Sequence, residues 1–201
     1  TGVAGLVSAA NSIVGSTAND QVGSNSVSAL TNGNYVVVSP NWDNGAVADA
    51  GAVTWGFGAT GTTGVVSAGN SLVGSTANDQ VGSAGVTVLT NGNYVAGSPT
   101  WDNGAVVDAG AATWGNGTTG TSDALSAVNS LVGSTASDGV GQEITALTNG
   151  NYVVTTPTWD NGATANVGAA TWGNGTTGTT GAVLVANSLV GSTAEDAVGQ
   201  G

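Results

Sequence analysis

The stretch NSLVGSTANDQVG, residues 70–82, is written into this chain four times, and that repetition constrains the fold more than any other feature. The other copies are NSIVGSTANDQVG at 11–23, NSLVGSTASDGVG at 129–141 and NSLVGSTAEDAVG at 187–199. Their first residues, Asn11, Asn70, Asn129 and Asn187, stand 59, 59 and 58 residues apart. A fixed spacing of this size means one supersecondary unit copied in tandem, each copy burying its apolar face against its neighbour. Residues 1–25 make a partial unit, and 26–84, 85–142 and 143–201 make three whole ones. No linker and no shift of composition separates them. The one-residue shortening falls between Asp138 and Leu147, in a turn, where a deletion is cheap.

Gly, Asn, Thr and Val dominate each unit. Glycine costs about 1 kcal/mol per helix position relative to Ala, so helices are disfavoured. Short β-rich runs separated by turn signals predict an all-β fold. In the first whole unit, Ser26–Leu30 reads as a strand. Thr31–Asn34 (TNGN) is a turn in which Gly33 can take positive φ. Tyr35–Ser39 is a second strand, stopped by Pro40. The polar turn NWDNG follows at 41–45, then the strand AGAVTWG at 50–56. A fourth strand runs over Val65–Ser75, bent at Asn70. The expected unit is therefore four short antiparallel strands, tandem at about 59 residues. The same residues can also be drawn as three hairpins per unit, which would stack into a β-solenoid, and the sequence leaves both drawings open.

Composition removes several functions. The chain has no Lys, Arg, His or Cys, and its 12 acidic residues give a formal net charge of −12. Nucleic-acid binding needs cations that displace counterions from phosphates, so that partner is excluded. Attraction to an anionic membrane surface fails for the same reason. No run approaches the ~18 apolar residues of a membrane helix, so no membrane insertion is expected. A signal peptide with a basic n-region is absent, and the first residue is Thr, which reads as a mature product or an excerpt. Without cysteine there is no disulfide framework and no thiolate metal site. Without His, Lys, Arg or Cys there is no ordinary base, cation or thiolate nucleophile, so the chain is expected to be no enzyme and to need no cofactor.

Repetition shows which side chains the unit keeps. Trp55, Trp114 and Trp172 follow apolar strands and are expected in the core at the seams between units, together with Tyr35, Tyr94 and Tyr152. Trp42, Trp101 and Trp159 sit in polar turns and are the candidates for stacking on the sugar rings of a glycan. Asp20, Asp79, Asp138 and Asp196 recur after STAN, STAS or STAE, and Asp43, Asp102 and Asp160 follow Trp. Such residues commonly accept from the backbone N–H two positions on, as Asx-turns. The functional alternative for Asp20, Asp79, Asp138 and Asp196 is calcium, which takes six to eight hard oxygen ligands. The triplet NGT at 116–118 and 174–176 fits an N-glycosylation acceptor.

Two resemblances follow from these motifs. The order DQVGSAGVTVLTNGNYVAGSPTWDNGAVVDAGAATWG, residues 79–115, resembles the FG-GAP blade of integrin-α-type β-propellers. Val81 and Gly82 stand where F-G would be, residues 96–99 resemble the G-A-P segment, and residues 109–114 resemble the A-G-A-V-Y strand. This resemblance implies a propeller-blade-like sheet for each unit. The calcium string of many such blades is missing, so no metal comes with it. The wording NSLVGSTANDQVG, LTNGNYVV and SPNWDNG resembles tandem repeats of very large bacterial filamentous-haemagglutinin-like exoproteins. That resemblance implies a secreted or cell-surface location and an adhesive or fibre-like role. The expected function is a non-enzymatic structural segment of a secreted, cell-surface or filament-forming protein that self-associates head to tail. The alternative is an adhesin or glycan-binding module.

Overall fold

The computed structural model describes residues 4–200. Strand β1 (Ile13–Val14) belongs to the partial unit. The first whole unit carries β2 (Ser26–Ala29), β3 (Tyr35–Ser39), β4 (Ala52–Gly56), β5 (Gly64–Val65) and β6 (Ser71–Val73). The second carries β7 (Val86–Val88), β8 (Tyr94–Ser98), β9 (Ala111–Gly115), β10 (Asp123–Ala124) and β11 (Leu131–Val132). The third carries β12 (Glu143–Ala146), β13 (Tyr152–Thr156), β14 (Ala169–Gly173), β15 (Gly181–Ala182) and β16 (Ser188–Val190). No helix occurs among the described residues.

Each whole unit is one four-stranded antiparallel meander. In the first, β2 pairs with β3, β3 with β4, and β4 with β6. The orders β7–β8–β9–β11 and β12–β13–β14–β16 repeat it. This is the blade-like arrangement, and among the described residues the strands close no barrel. The three-hairpin drawing fails because the four antiparallel strands of every whole unit share one sheet. Val65–Ser75 is not one bent strand either. It splits into β5 and β6, which lie in different sheets. The break is a turn built by Asn70, whose Oδ1 accepts from Ser67 N at 2.9 Å while its Nδ2 donates to Val65 O at 2.9 Å.

The split creates an arm that reaches back to the preceding unit. Strand β5 pairs in parallel with β1, β10 with β6, and β15 with β11. Two of the three meanders thus carry a fifth, parallel strand from the next unit.

Local chemistry explains the meander. In the TNGN turn, Leu30 N donates to Asn34 O at 2.8 Å and Asn34 N to Asn32 Oδ1 at 3.1 Å. Gly33 holds φ at 88°, a left-handed value that Cβ disfavours. The glycine of TWG has another cause. A Cβ at Gly56, Gly115 or Gly173 would stand 2.1, 2.0 or 2.1 Å from the ring of Tyr35, Tyr94 or Tyr152. The tyrosine lies flat across the glycine of the neighbouring strand and covers the backbone that a side chain would otherwise hide.

Successive side chains of a strand point to opposite faces. Here both faces of an inner sheet are covered, one by the unit before and one by the unit after. That is why β3 and β8 are buried along nearly their whole length. The apolar cores therefore lie between units. Val36, Val38, Val53 and Leu72 pack against Tyr94, Ala96, Ala111 and Val132. Val95, Ala112 and Leu131 pack in the same way against Tyr152, Val154 and Ala169.

Candidate functional site

The recurring polar residues meet at the seams between units. The carboxylate of Asp79 is buried, and its Oδ2 accepts from Ser75 N and Thr76 N, both at 2.8 Å. Its Oδ1 accepts from Asp102 N of the next unit at 3.1 Å. Asp138 repeats this with Ser134 N and Thr135 N at 2.8 Å and Asp160 N at 3.0 Å. Asp20 accepts from Ser16 N, Thr17 N and Asp43 N. Asp196 accepts from Ser192 N and Thr193 N at 2.7 and 2.8 Å and stays exposed.

These residues are not Asx-turns of the expected kind. They accept from N–H groups three and four positions back, and three of the four also cross a seam. Asx bonds are made instead by asparagines, among them Asn32, Asn91 and Asn149, which accept from the N–H two positions on at 3.1 Å. The second acidic set closes its own loop. Asp43 and Asp102 accept from Asp49 N and Asp108 N at 2.9 Å, and Asp160 from Asn166 N at 2.8 Å.

Burial pushes the Asp79 and Asp138 carboxyls above the ordinary carboxylate range, although the backbone donors pull the other way. At Asp20 burial also pushes upward, but the Thr17 hydroxyl and the backbone donors outweigh it and the net direction is down. At Asp196 the Thr193 hydroxyl leads, and the direction is again down. The oxygens of Asp20, Asp79 and Asp138 that calcium would use are committed to N–H groups. Among the described residues no three acids converge on one point.

The aromatic assignments change places. Trp42, Trp101 and Trp159 are 2 %, 3 % and 3 % exposed, so they are core residues and present no ring to a sugar. The polar neighbours that suggested a surface turn point into the loop itself. Trp42 O accepts from Gly51 N at 2.9 Å, and Asn44 and Val47 exchange backbone bonds at 2.9 and 3.1 Å, so the loop folds over the indole.

Trp55 and Trp114 lie at the seams as expected, but each is half-buried and hydrogen-bonded across the boundary. Gly117 O accepts from Trp55 Nε1 at 2.9 Å, Asn32 Nδ2 at 2.8 Å and Asn34 Nδ2 at 2.9 Å. Gly175 O accepts from Trp114 Nε1 at 2.9 Å, Asn91 Nδ2 at 2.7 Å and Asn93 Nδ2 at 2.9 Å. Trp172 is 52 % exposed, on the outer face of the third sheet. Sequence reasoning missed this carbonyl cradle. Its signal was the recurrence of NGN before each Tyr together with a glycine two residues after each TWG. Asn116 and Asn174, of the NGT triplets, cap their own turns, accepting from Thr118 N and Thr176 N at 2.8 Å.

At the seam the carboxylate, amide and indole groups are tied to backbone donors and carbonyls of the neighbouring unit. These groups are hydrogen-bond donors and acceptors that fasten one unit to the next.

Compared with known families, the chain matches the one described as "Repeat of unknown function (DUF5650)" over residues 1–24, 29–83, 88–142 and 146–200. These segments cover the partial unit and all three whole ones, and the chain belongs to that family of repeats. No curated protein matches it.

Proposed function

We propose that this repeat protein is a non-enzymatic structural segment of a secreted, cell-surface or filament-forming protein, extended by stacking unit on unit head to tail. One observation carries the reading. Each of the two seams between whole units is closed by the same contacts: a Trp and two Asn on a glycine carbonyl, an Asp on the N–H of the next loop, and a parallel strand added to the sheet edge. Contacts that repeat from one unit to the next set no fixed length, which suits a stalk or fibre. Heterologous contacts of this kind build open filaments unless the rotation closes a ring. The resemblance to filamentous-haemagglutinin-like exoproteins supports the location outside the cell. The absence of His, Lys, Arg and Cys supports the non-enzymatic role.

The net charge of −12 opposes contact between molecules at low salt. It opposes it less at physiological salt, where the screening length is about 8 Å. Electron microscopy of the chain over a salt and concentration series tests the reading. End-to-end strings that lengthen with salt support it. Separate compact particles under every condition refute it.

A further inference from the structure

The outer face of the third unit repeats a site that is closed in the first two. Asn149, Asn151 and Trp172 occupy the places of Asn32, Asn34 and Trp55. The two amides are held as in the earlier units. Asn149 Oδ1 accepts from Asn151 N at 3.1 Å, and Asn151 Oδ1 from Gly175 N at 3.0 Å. With the oxygens engaged, both NH₂ groups remain as donors beside the indole N–H. Next to them Val153, Ala170, Trp172 and Leu189 line an apolar depression of about 380 Å³. Leu189 is 77 % exposed, whereas its counterparts Leu72 and Leu131 are 2 % and 0 % exposed under the following unit. Strand β16 pairs with β14 on one side, whereas β6 and β11 each take a parallel strand on the other.

We propose that this face is a peptide-acceptor site for a Gly-x-x-Gly turn and the short strand after it, and that its occupant is the arm of a second copy of this chain, residues 58–65, exchanged from the β1 with which it pairs in its own chain. The inference rests on the stacking reading above and names the site through which stacking proceeds. The first glycine carbonyl enters the three donors of Asn149, Asn151 and Trp172. The second glycine lies on the Trp172 indole, because its counterparts leave no room for a side chain. A Cβ at Gly120 would stand 2.9 Å from Trp55 Cβ, and one at Gly178 2.9 Å from Trp114 Cβ, and both glycines hold φ at 78°. The residues that follow add to β16 as a parallel strand, as Asp123–Ala124 does to β6. Three neutral N–H donors beside an apolar hollow and an open sheet edge fit a backbone carbonyl followed by a strand. The charge of −12 disfavours an anion there.

The probe is a synthetic peptide of residues 174–185, NGTTGTTGAVLV, which carries no charged side chain. It is titrated into the full chain while Trp emission is followed. The expected result is a saturable shift to shorter wavelength, because Trp172 is the one indole more than half exposed among the described residues. A peptide with Gly178→Val should give no shift. Calorimetry on the Trp172→Phe chain, which keeps the ring and loses the donor, should show binding weaker by about tenfold, the scale of one hydrogen bond. Absence of saturable binding at millimolar peptide overturns the proposal, as does equal binding of the Gly178→Val peptide. Strings under the microscope without peptide binding would leave the stacking reading standing and remove this site from it. Peptide binding without strings would do the reverse.

Discussion

Asp79→Ala should weaken the chain well beyond what the same change does at Asp196. The buried Asp79 carboxylate accepts from Ser75 N, Thr76 N and Asp102 N. Its removal orphans three backbone donors, and an orphaned buried donor costs about 1–3 kcal/mol. Two considerations reduce the plain sum. The loop at Ser75–Asn78 is largely exposed, so water can reach the Ser75 and Thr76 donors. Burial also pushes the Asp79 carboxyl upward, so ionising it in place already carries a cost that the substitution removes. A net loss of roughly 2–4 kcal/mol remains, which for a chain of this size is roughly 5–15 °C in Tm. Asp196 makes the same two bonds inside its own loop and none to a following unit. It is exposed, so Asp196→Ala should leave the midpoint unmoved. Asp79→Asn should fall between, because an amide oxygen can serve the two loop donors while its NH₂ cannot accept from Asp102 N. Thermal unfolding followed by far-ultraviolet circular dichroism on the three variants is sufficient. Equal shifts for Asp79→Ala and Asp196→Ala would show that the bond across the seam contributes nothing.

The Trp residues should separate into three grades in urea unfolding. Trp101→Ala should cost about 3–5 kcal/mol, the scale for a fully buried aromatic, Trp114→Ala somewhat less, and Trp172→Ala close to nothing. Gly115→Ala places a Cβ 2.0 Å from the Tyr94 ring and should destabilise by about 1–3 kcal/mol, the cost of overpacking, in the same assay. Burial pushes the Tyr94 hydroxyl up to about 12 from 10.0. The folded chain therefore keeps this proton where an unfolded one loses it. The resulting stability is fully present below pH 10 and is lost as pH rises towards 12. Tyr94→Phe should flatten that part of the decline in midpoint with pH, and an unchanged slope would contradict the burial.

The sheet was legible because its signals are local. Tyr35–Ser39 is bounded by a TNGN turn and by Pro40, and β3 has those limits. The arm was not legible. Val65–Ser75 reads as one strand bent at Asn70, and nothing in its own residues says that Gly64–Val65 should leave for the previous sheet. That choice is made by the partner β1, some 50 residues earlier in the chain. The two Trp families were exchanged in expected exposure for a related reason. The Asp and Asn around Trp42 suggest a surface turn, yet their side chains turn inward to the loop backbone and the indole goes to the core. Trp55 looks like core because it ends an apolar strand. It sits where one sheet meets the next, so its burial depends on which unit it belongs to.

The acidity of the chain and its stacking are compatible because of where the charges stand. With no Lys, Arg or His to pair them, carboxylates could be buried only against fixed dipoles. The backbone N–H groups at the seams supply these, in charge-assisted bonds stronger than those between neutral groups. Aspartate rather than asparagine suits this place, because three N–H donors need an acceptor that offers no donor of its own. Glycine carbonyls meet the opposite need, collecting the Asn and Trp donors that face them. The Asp and glycine-carbonyl contacts of a seam therefore involve only the two units that meet there. A unit can be added or lost without disturbing seams it does not touch, and this is how four near-copies of one stretch can persist in a single chain.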